Sequence, residues 1–240
     1  MSSKKNLSDN YGSDTAPQSK LIECIDLYGN YASTTNHVYF GFNEDRELSQ
    51  FNQETTIYFL QATDTTYGYM EVRAEAPGIW SLRVGMNSQG IAISGNGLPE
   101  SSINVHPEKT YTRSYHNFYK IVLESTGNIS DVIELIDNFD FGSSISAQIH
   151  IADAQGNALV LSPGSDGEME ITHKVADYLV STNTNQLKEK ALMNDLRYLS
   201  ATHPLKESIT KQSVLTALDY SKRLFKAGCI RIGDVLFDII

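Results

Sequence analysis

Gly85-Met86-Asn87-Ser88-Gln89-Gly90-Ile91-Ala92-Ile93-Ser94-Gly95-Asn96-Gly97-Leu98-Pro99 reads as the end of one strand, a tight reversal and the start of another strand. Asn87 and Gly90 both tolerate positive φ, so Asn87-Ser88-Gln89-Gly90 supplies the residue types that a hairpin reversal needs. The stretch closes a meander whose strands fall at 67–74, 78–85 and 90–94, two of them paired and antiparallel. Upstream, Val38, Phe40 and Phe42 alternate with His37, Tyr39 and Gly41, the period of two expected of a strand with one buried face over 35–42, and a further strand is expected at 56–62.

Downstream the period changes. Tyr115, Phe118, Ile121 and Val122 lie on one helical stripe within 114–126, with Gly127 placed to end it in a left-handed cap. A second helix follows, with Ser130 as N-cap, Asp131 and Glu134 near its positive end, and Val132, Ile133, Leu135 and Ile136 on its buried face. Strands are expected again at 145–152 and 158–161, joined by the turn Asp153-Ala154-Gln155-Gly156, and the sheet continues through 168–173 and 178–181. Helices are expected at 188–200 and at 210–225, the latter capped by Thr210, before an apolar tail at 228–240 that reads as one final strand. Strands, two helices, then strands again make this an α+β chain with mainly antiparallel sheets.

The 240 residues suffice for one substantial core, with 40% hydrophobic and 20% charged residues, the balance of an ordinary globular domain. Residues 1–23 are polar and aperiodic, which reads as a disordered leader followed by a single domain over 24–240. The formal net charge of -10 opposes binding to nucleic acid or an anionic membrane surface. The two cysteines, Cys24 and Cys229, make no disulfide framework, and no ligand spacing names a metal or a cofactor. With neither a signal peptide nor an apolar run long enough to span a bilayer, the location expected is cytoplasmic.

Phosphate loops, serine elbows and zinc signatures are all lacking. A lone thiol is more often a small buried hydrophobe than a nucleophile. Cys24, however, stands upstream of Tyr39-Phe40-Gly41-Phe42-Asn43-Glu44-Asp45, and the chain continues through the 85–99 stretch, Ile151-Ala152-Asp153-Ala154-Gln155-Gly156-Asn157-Ala158 and Tyr178-Leu179-Val180-Ser181-Thr182-Asn183. In that order these segments resemble the choloylglycine hydrolase and penicillin V acylase group of N-terminal-nucleophile hydrolases, and most closely its isopenicillin N acyltransferase-like branch. The 85–99 stretch, similar to the group's Gly-Met-Asn-x-x-Gly-Leu-Ala-Val-x-x-Asn-x-Leu-Pro, is the most specific of the four.

The resemblance implies a four-layer αββα sandwich and a cysteine nucleophile that becomes the first residue of the chain after autoproteolytic cleavage between Glu23 and Cys24, the leader then being a propeptide. A free α-amino group has a pKa of about 8 and can take the thiol proton without a histidine. Carried over by matching motif, Asp45 orients that amine, Asn96 and Asn183 donate to the tetrahedral intermediate, and Arg197 lies close to the nucleophile. The activity implied is cleavage of a linear amide of a small N-acyl compound, or transfer of its acyl group, through an acyl-enzyme and without a cofactor.

Plain alternatives stand beside each assignment. Asp45, Asn87 and Asn96 are also ordinary turn residues, Asn183 an ordinary strand end, Arg197 an ordinary surface charge, and the six histidines share no spacing that names a base or a ligand. Two departures matter. Phe42 stands where the group has an arginine, and the chain stops soon after its last helix, so a C-terminally truncated sheet with open edges, and through them a homo-oligomer, is expected. Both keep open the alternative of a catalytically silent relative that serves as a binding or scaffold protein. A third reading, an internal Cys-His hydrolase, needs a histidine beside Cys24. Tyr28, Tyr31, Phe51, Tyr58, Tyr67 and Trp80 read equally as an acyl pocket or as core.

Overall fold

The computed structural model describes residues 24–31, 37–47, 54–76, 79–112, 115–222 and 229–239. Its strands are β1 (Cys24–Tyr31), β2 (His37–Glu47), β3 (Glu54–Leu60), β4 (Tyr69–Ala76), β5 (Ile79–Asn87), β6 (Ala92–Ser102), β7 (Tyr111–Thr112), β8 (Phe139–Asp140), β9 (Ser144–Ala152), β10 (Ala158–Pro163), β11 (Met169–His173), β12 (Tyr178–Ser181) and β13 (Cys229–Ile239). The helices are α1 (Tyr115–Ser125), α2 (Ile129–Asp137), α3 (Glu189–Leu192), α4 (Leu196–Glu207) and α5 (Lys211–Lys222). A four-stranded sheet runs β12-β1-β2-β13, a seven-stranded sheet runs β11-β10-β9-β6-β5-β4-β3, and every pairing within them is antiparallel. The expected leader, the Glu23-Cys24 junction and Phe51 lie outside the described residues.

Three apolar clusters show how the sheets stack. Ile93, Ile149 and Ile151 of the larger sheet, with Ile91 just before β6, pack with Phe118, Val122 and Leu123 of α1 and with Val132 and Ile136 of α2. The other face of that sheet presents Val72, Val84, Ala92 and Val160 to Val38, Phe40 and Phe42 of β2. Tyr39 and Val180, on the far side of the smaller sheet, meet Ala201 and Leu205 of α4 and Val214 and Leu218 of α5. The order is therefore helices, sheet, sheet, helices, the αββα sandwich. Full burial of an Ile or Phe side chain contributes roughly 1.5–3 kcal/mol, so each interface is held by several such terms.

β2 is buried on both faces, where the alternation predicts one. The helical layer closes over Gly41, where an added Cβ would lie 3.2 Å from Leu218 Cδ1. Four local expectations change as well. Gly127 is not among the positive-φ glycines, and its N–H instead donates to Asp131 Oδ2 at 2.8 Å. The cap of α2 is Asn128, whose Oδ1 accepts from Asp131 N at 3.1 Å, so Ser130 falls inside the helix. The helix expected at 188–200 is broken at Asp195 into α3 and α4. β12 does not continue the sheet of β11 but crosses to the edge of the other sheet, beside β1.

The 85–99 stretch folds as read. Gly90 has φ +83°, and Asn87 Oδ1 accepts from the N–H groups of Gln89 and Ile91. Asn87 Nδ2 donates to the carbonyls of Leu123 and Thr126, tying the end of α1 to the turn. The tail forms β13 along β2. Among the described residues no helix is long and apolar enough to cross a membrane.

Candidate active site

The segment after β12 is fastened from two sides. Fully buried Gln148 on β9 donates through Nε2 to the carbonyls of Thr182 and Thr184, at 2.6 and 3.0 Å, and accepts from Ser162 Oγ and Gln186 N through Oε1. On the other side Asp195 receives Thr182 Oγ1 at 2.6 Å and Thr184 Oγ1 at 2.8 Å on Oδ2, while Oδ1 caps α4 by accepting from Arg197 N and Tyr198 N. Burial works to raise the Asp195 pKa, but the two threonine hydroxyls, the Arg197 charge and the Tyr198 amide outweigh it and hold the carboxyl below its ordinary value.

That clamp positions Asn183 and Arg197. Arg197 Nη1 donates to Asn183 Oδ1 at 3.0 Å, and its Nε lies 3.8 Å from Asp195 Oδ1. Asn183 Nδ2 in turn donates to the Gly97 carbonyl at 2.8 Å, which joins the smaller sheet's edge to β6.

Asn96 precedes Gly97 and is fully buried between the sheets. Its Oδ1 accepts from Ser181 Oγ at 2.7 Å, whereas its Nδ2 has no hydrogen-bond partner. Because a buried unpaired amide N–H is costly, typically about 1–3 kcal/mol, such a group calls for an explanation. Ser181 Oγ also lies 3.2 Å from Nδ1 of His150, a fully buried residue whose ring meets Phe40 edge-on at 5.4 Å. Burial pushes the pKa of His150 down to about 3, so the imidazole is neutral near pH 7.

Cys24 pairs in register with Glu44 and Asp45 with Arg231, and nothing is described of the Cys24 and Asp45 side chains. On β1, Asp26 lies between Phe42 of β2 and Ser181 of β12. By the two-residue alternation of a strand, position 24 falls on the same sheet face as positions 26, 42 and 181. That face looks toward the larger sheet, and β1 packs against β6. Phe42 itself is buried in the inter-sheet cluster and supplies packing where the resemblance places an arginine.

The structure thus brings Asn96, Asn183 and Arg197 into one linked group. Sequence reasoning missed Ser181, Gln148 and Asp195 and read His150 as uninformative. Asp195 falls inside the helix expected at 188–200, so its role as a cap carried no local signal. Two hollows beside α2, one at His106 and Asp137 and the other at Thr110 and Asn138, are lined by none of the candidate residues.

Residues 32–222 match the family model described as acyl-coenzyme A:6-aminopenicillanic acid acyl-transferase. No curated protein sequence matches the chain. Among solved structures, a variant of conjugated bile acid hydrolase from Clostridium perfringens is similar at 15% identity and TM-score 0.63, covering 82% of this chain and 79% of that one. Penicillin V acylase from Agrobacterium tumefaciens is similar at 16% identity and TM-score 0.60, over 83% of this chain and 71% of that one. The Caenorhabditis elegans ortholog of N-acylethanolamine-hydrolyzing acid amidase is similar at 16% identity and TM-score 0.62, over 89% and 92%. These three likenesses show a shared fold of helices and antiparallel sheets.

Proposed function

The chain belongs to the acyl-coenzyme A:6-aminopenicillanic acid acyl-transferase family, and on that premise we propose that it is an enzyme acting on amides, a cysteine N-terminal-nucleophile amidohydrolase or acyltransferase. Cys24 Sγ attacks the carbonyl carbon of a linear N-acyl amide, its thiol proton passing to its own α-amine, which Asp45 orients. The tetrahedral oxyanion receives a hydrogen bond from Asn96 Nδ2. Its collapse breaks the C–N bond, the proton moves from the α-ammonium to the departing amine, and the acyl group stays on sulfur as a thioester. Water, or a second amine, then takes the acyl group. Asn183, held by Arg197 and Gly97, is the second amide of the site.

The single observation that carries this reading is the buried, unpartnered Nδ2 of Asn96, a donor held ready for an acceptor that arrives with substrate. The solved relatives, described as hydrolases or acylases of bile acid conjugates, penicillin V and N-acylethanolamines, point to a small N-acyl substrate. The reading also requires cleavage at Glu23-Cys24 and places the enzyme in the cytoplasm. Intact-mass measurement, with turnover of bile-acid conjugates, penicillin V and N-acyl amino acids by wild type and Cys24→Ala, tests it. Loss of residues 1–23 and turnover abolished by Cys24→Ala are expected, and an intact leader after prolonged incubation rejects the mechanism.

A second reading, a silent relative acting as a scaffold, is favoured by Phe42, a buried apolar ring that cannot do the work of a guanidinium. Iodoacetamide separates the two, since an activated Cys24 reacts faster than a free model thiol near pH 7 and a structural one hardly reacts.

A further inference from the structure

Asn96 carries a planar carboxamide with an acceptor at one end and a donor at the other, and only one end suits an oxyanion. With Oδ1 outward, the lone pairs of Asn96 would face the developing negative charge and oppose it. Whichever group fixes the flip of this side chain therefore decides whether the donor is presented at all.

We propose that Ser181 is a positioning residue that sets the orientation of the Asn96 carboxamide, and that His150 sets the direction of the Ser181 hydroxyl. The inference rests on the functional reading above and deepens it. Ser181 Oγ has one proton and stands between Asn96 Oδ1 at 2.7 Å and His150 Nδ1 at 3.2 Å. An amide oxygen only accepts, so the hydroxyl proton points to Asn96, and the lone pairs of Ser181 face His150. Nδ1 must then be the protonated nitrogen of the neutral ring, or two acceptors would confront each other in a fully buried space. The reverse arrangement is equally self-consistent: Nε2–H on His150, Ser181 donating to Nδ1, and Asn96 turned to donate to Ser181 with its oxygen outward. The tautomer of His150 and the flip of Asn96 are thus one coupled choice with two settings, and the one seen leaves Nδ2 without a partner. Phe40 packs edge-on against the imidazole and fixes the plane of the ring.

The test has two arms. In the first, long-range 1H–15N correlation on uniformly 15N-labelled wild type reads the His150 tautomer directly, and it needs neither substrate nor any variant to fold. Protonation at Nδ1 is expected, and protonation at Nε2 overturns the proposal. In the second, Ser181→Ala and Ser181→Thr are assayed on whichever N-acyl amide the wild type turns over. Removal of the hydroxyl is expected to lower kcat about tenfold with KM within about twofold, and the threonine variant is expected to recover most of kcat. A kcat within about twofold of wild type in Ser181→Ala overturns the proposal. Should wild type turn over no amide, the functional reading fails on its own, while the first arm still decides the polarity of the Ser181–His150 hydrogen bond.

Discussion

His150 and His106 hold opposite positions in the molecule. His150 sits between the two sheets, fully buried, facing one serine hydroxyl, with its basicity suppressed by burial. His106 lies in the connection after β6, with Nδ1 2.9 Å from Glu108 Oε1 and Nε2 2.9 Å from Glu168 Oε2, and these carboxylates, the Glu108 hydrogen bond first, raise its pKa. Glu168 is further held by Asn104 Nδ2 at 2.8 Å. A charged His106 donates from both nitrogens and encodes no direction. A neutral His150 has one proton to place, and where it goes matters to the residue beyond. The first arrangement only fastens a surface loop, while the second can orient a functional group.

The sharpest way to break the contrast is to alter activity from both places. Asn96→Ala is expected to lower turnover by about two to three orders of magnitude, as loss of an oxyanion donor does, with a circular dichroism spectrum unchanged from wild type. His106→Ala is expected to leave turnover as it is. Equal losses from both would remove the distinction.

Next in size, Asp195→Ala removes the cap of α4 and the acceptor of Thr182 and Thr184 together. Its cost is expected to be about 2 kcal/mol in urea unfolding, with turnover falling because Arg197 and Asn183 lose their anchor.

The pH dependence of stability separates the two histidines by sign. For His150 the folded pKa, about 3, lies below the unfolded value, so its neutral form is favoured by folding. Its contribution is complete above about pH 6.5 and is lost as pH falls toward 3, amounting to about 2 kcal/mol between pH 7 and pH 5. Urea titrations of wild type and His150→Gln at both pH values measure this as a difference in slope. For His106 the folded pKa is raised, so its smaller contribution is present below the unfolded pKa and fades as pH rises through the folded one. Because its partners Glu108 and Glu168 are exposed to solvent, it is expected to disappear in 1 M salt, which leaves the His150 slope in place.

Much of the fold was legible because local chemistry and period determine it. Asn87 with Gly90, and Asp153 with its four acceptor contacts to Ile129, Gln155 and Asn157, close the turns that their sequences announce. Those motifs are scaffolding, and their specificity in sequence marks the fold more than the chemistry. Period reports that a strand has faces but not which sheet receives it, so the crossing of β12 was unreadable from 178–181 alone. The helix break at Asp195 depends on hydroxyls thirteen and eleven residues upstream. Of the site, Asn96, Asn183 and Arg197 were named by motif and lie together. Ser181 and His150 were invisible because their meaning is a meeting of residues 31 apart with a third 85 away.

Gln148 has a mechanical consequence. Apolar contacts between two sheets are non-directional, so the polar side chains that cross the interface define how one sheet sits on the other. Gln148 is rooted in the larger sheet and grips the backbone on either side of Asn183, which follows the edge strand of the smaller one. It works as a dowel between the sheets: a shear that parts Asn183 from Asn96 must break its two hydrogen bonds together with those from Asn183 to Gly97 and from Ser181 to Asn96, so the two amides travel together when the sandwich flexes.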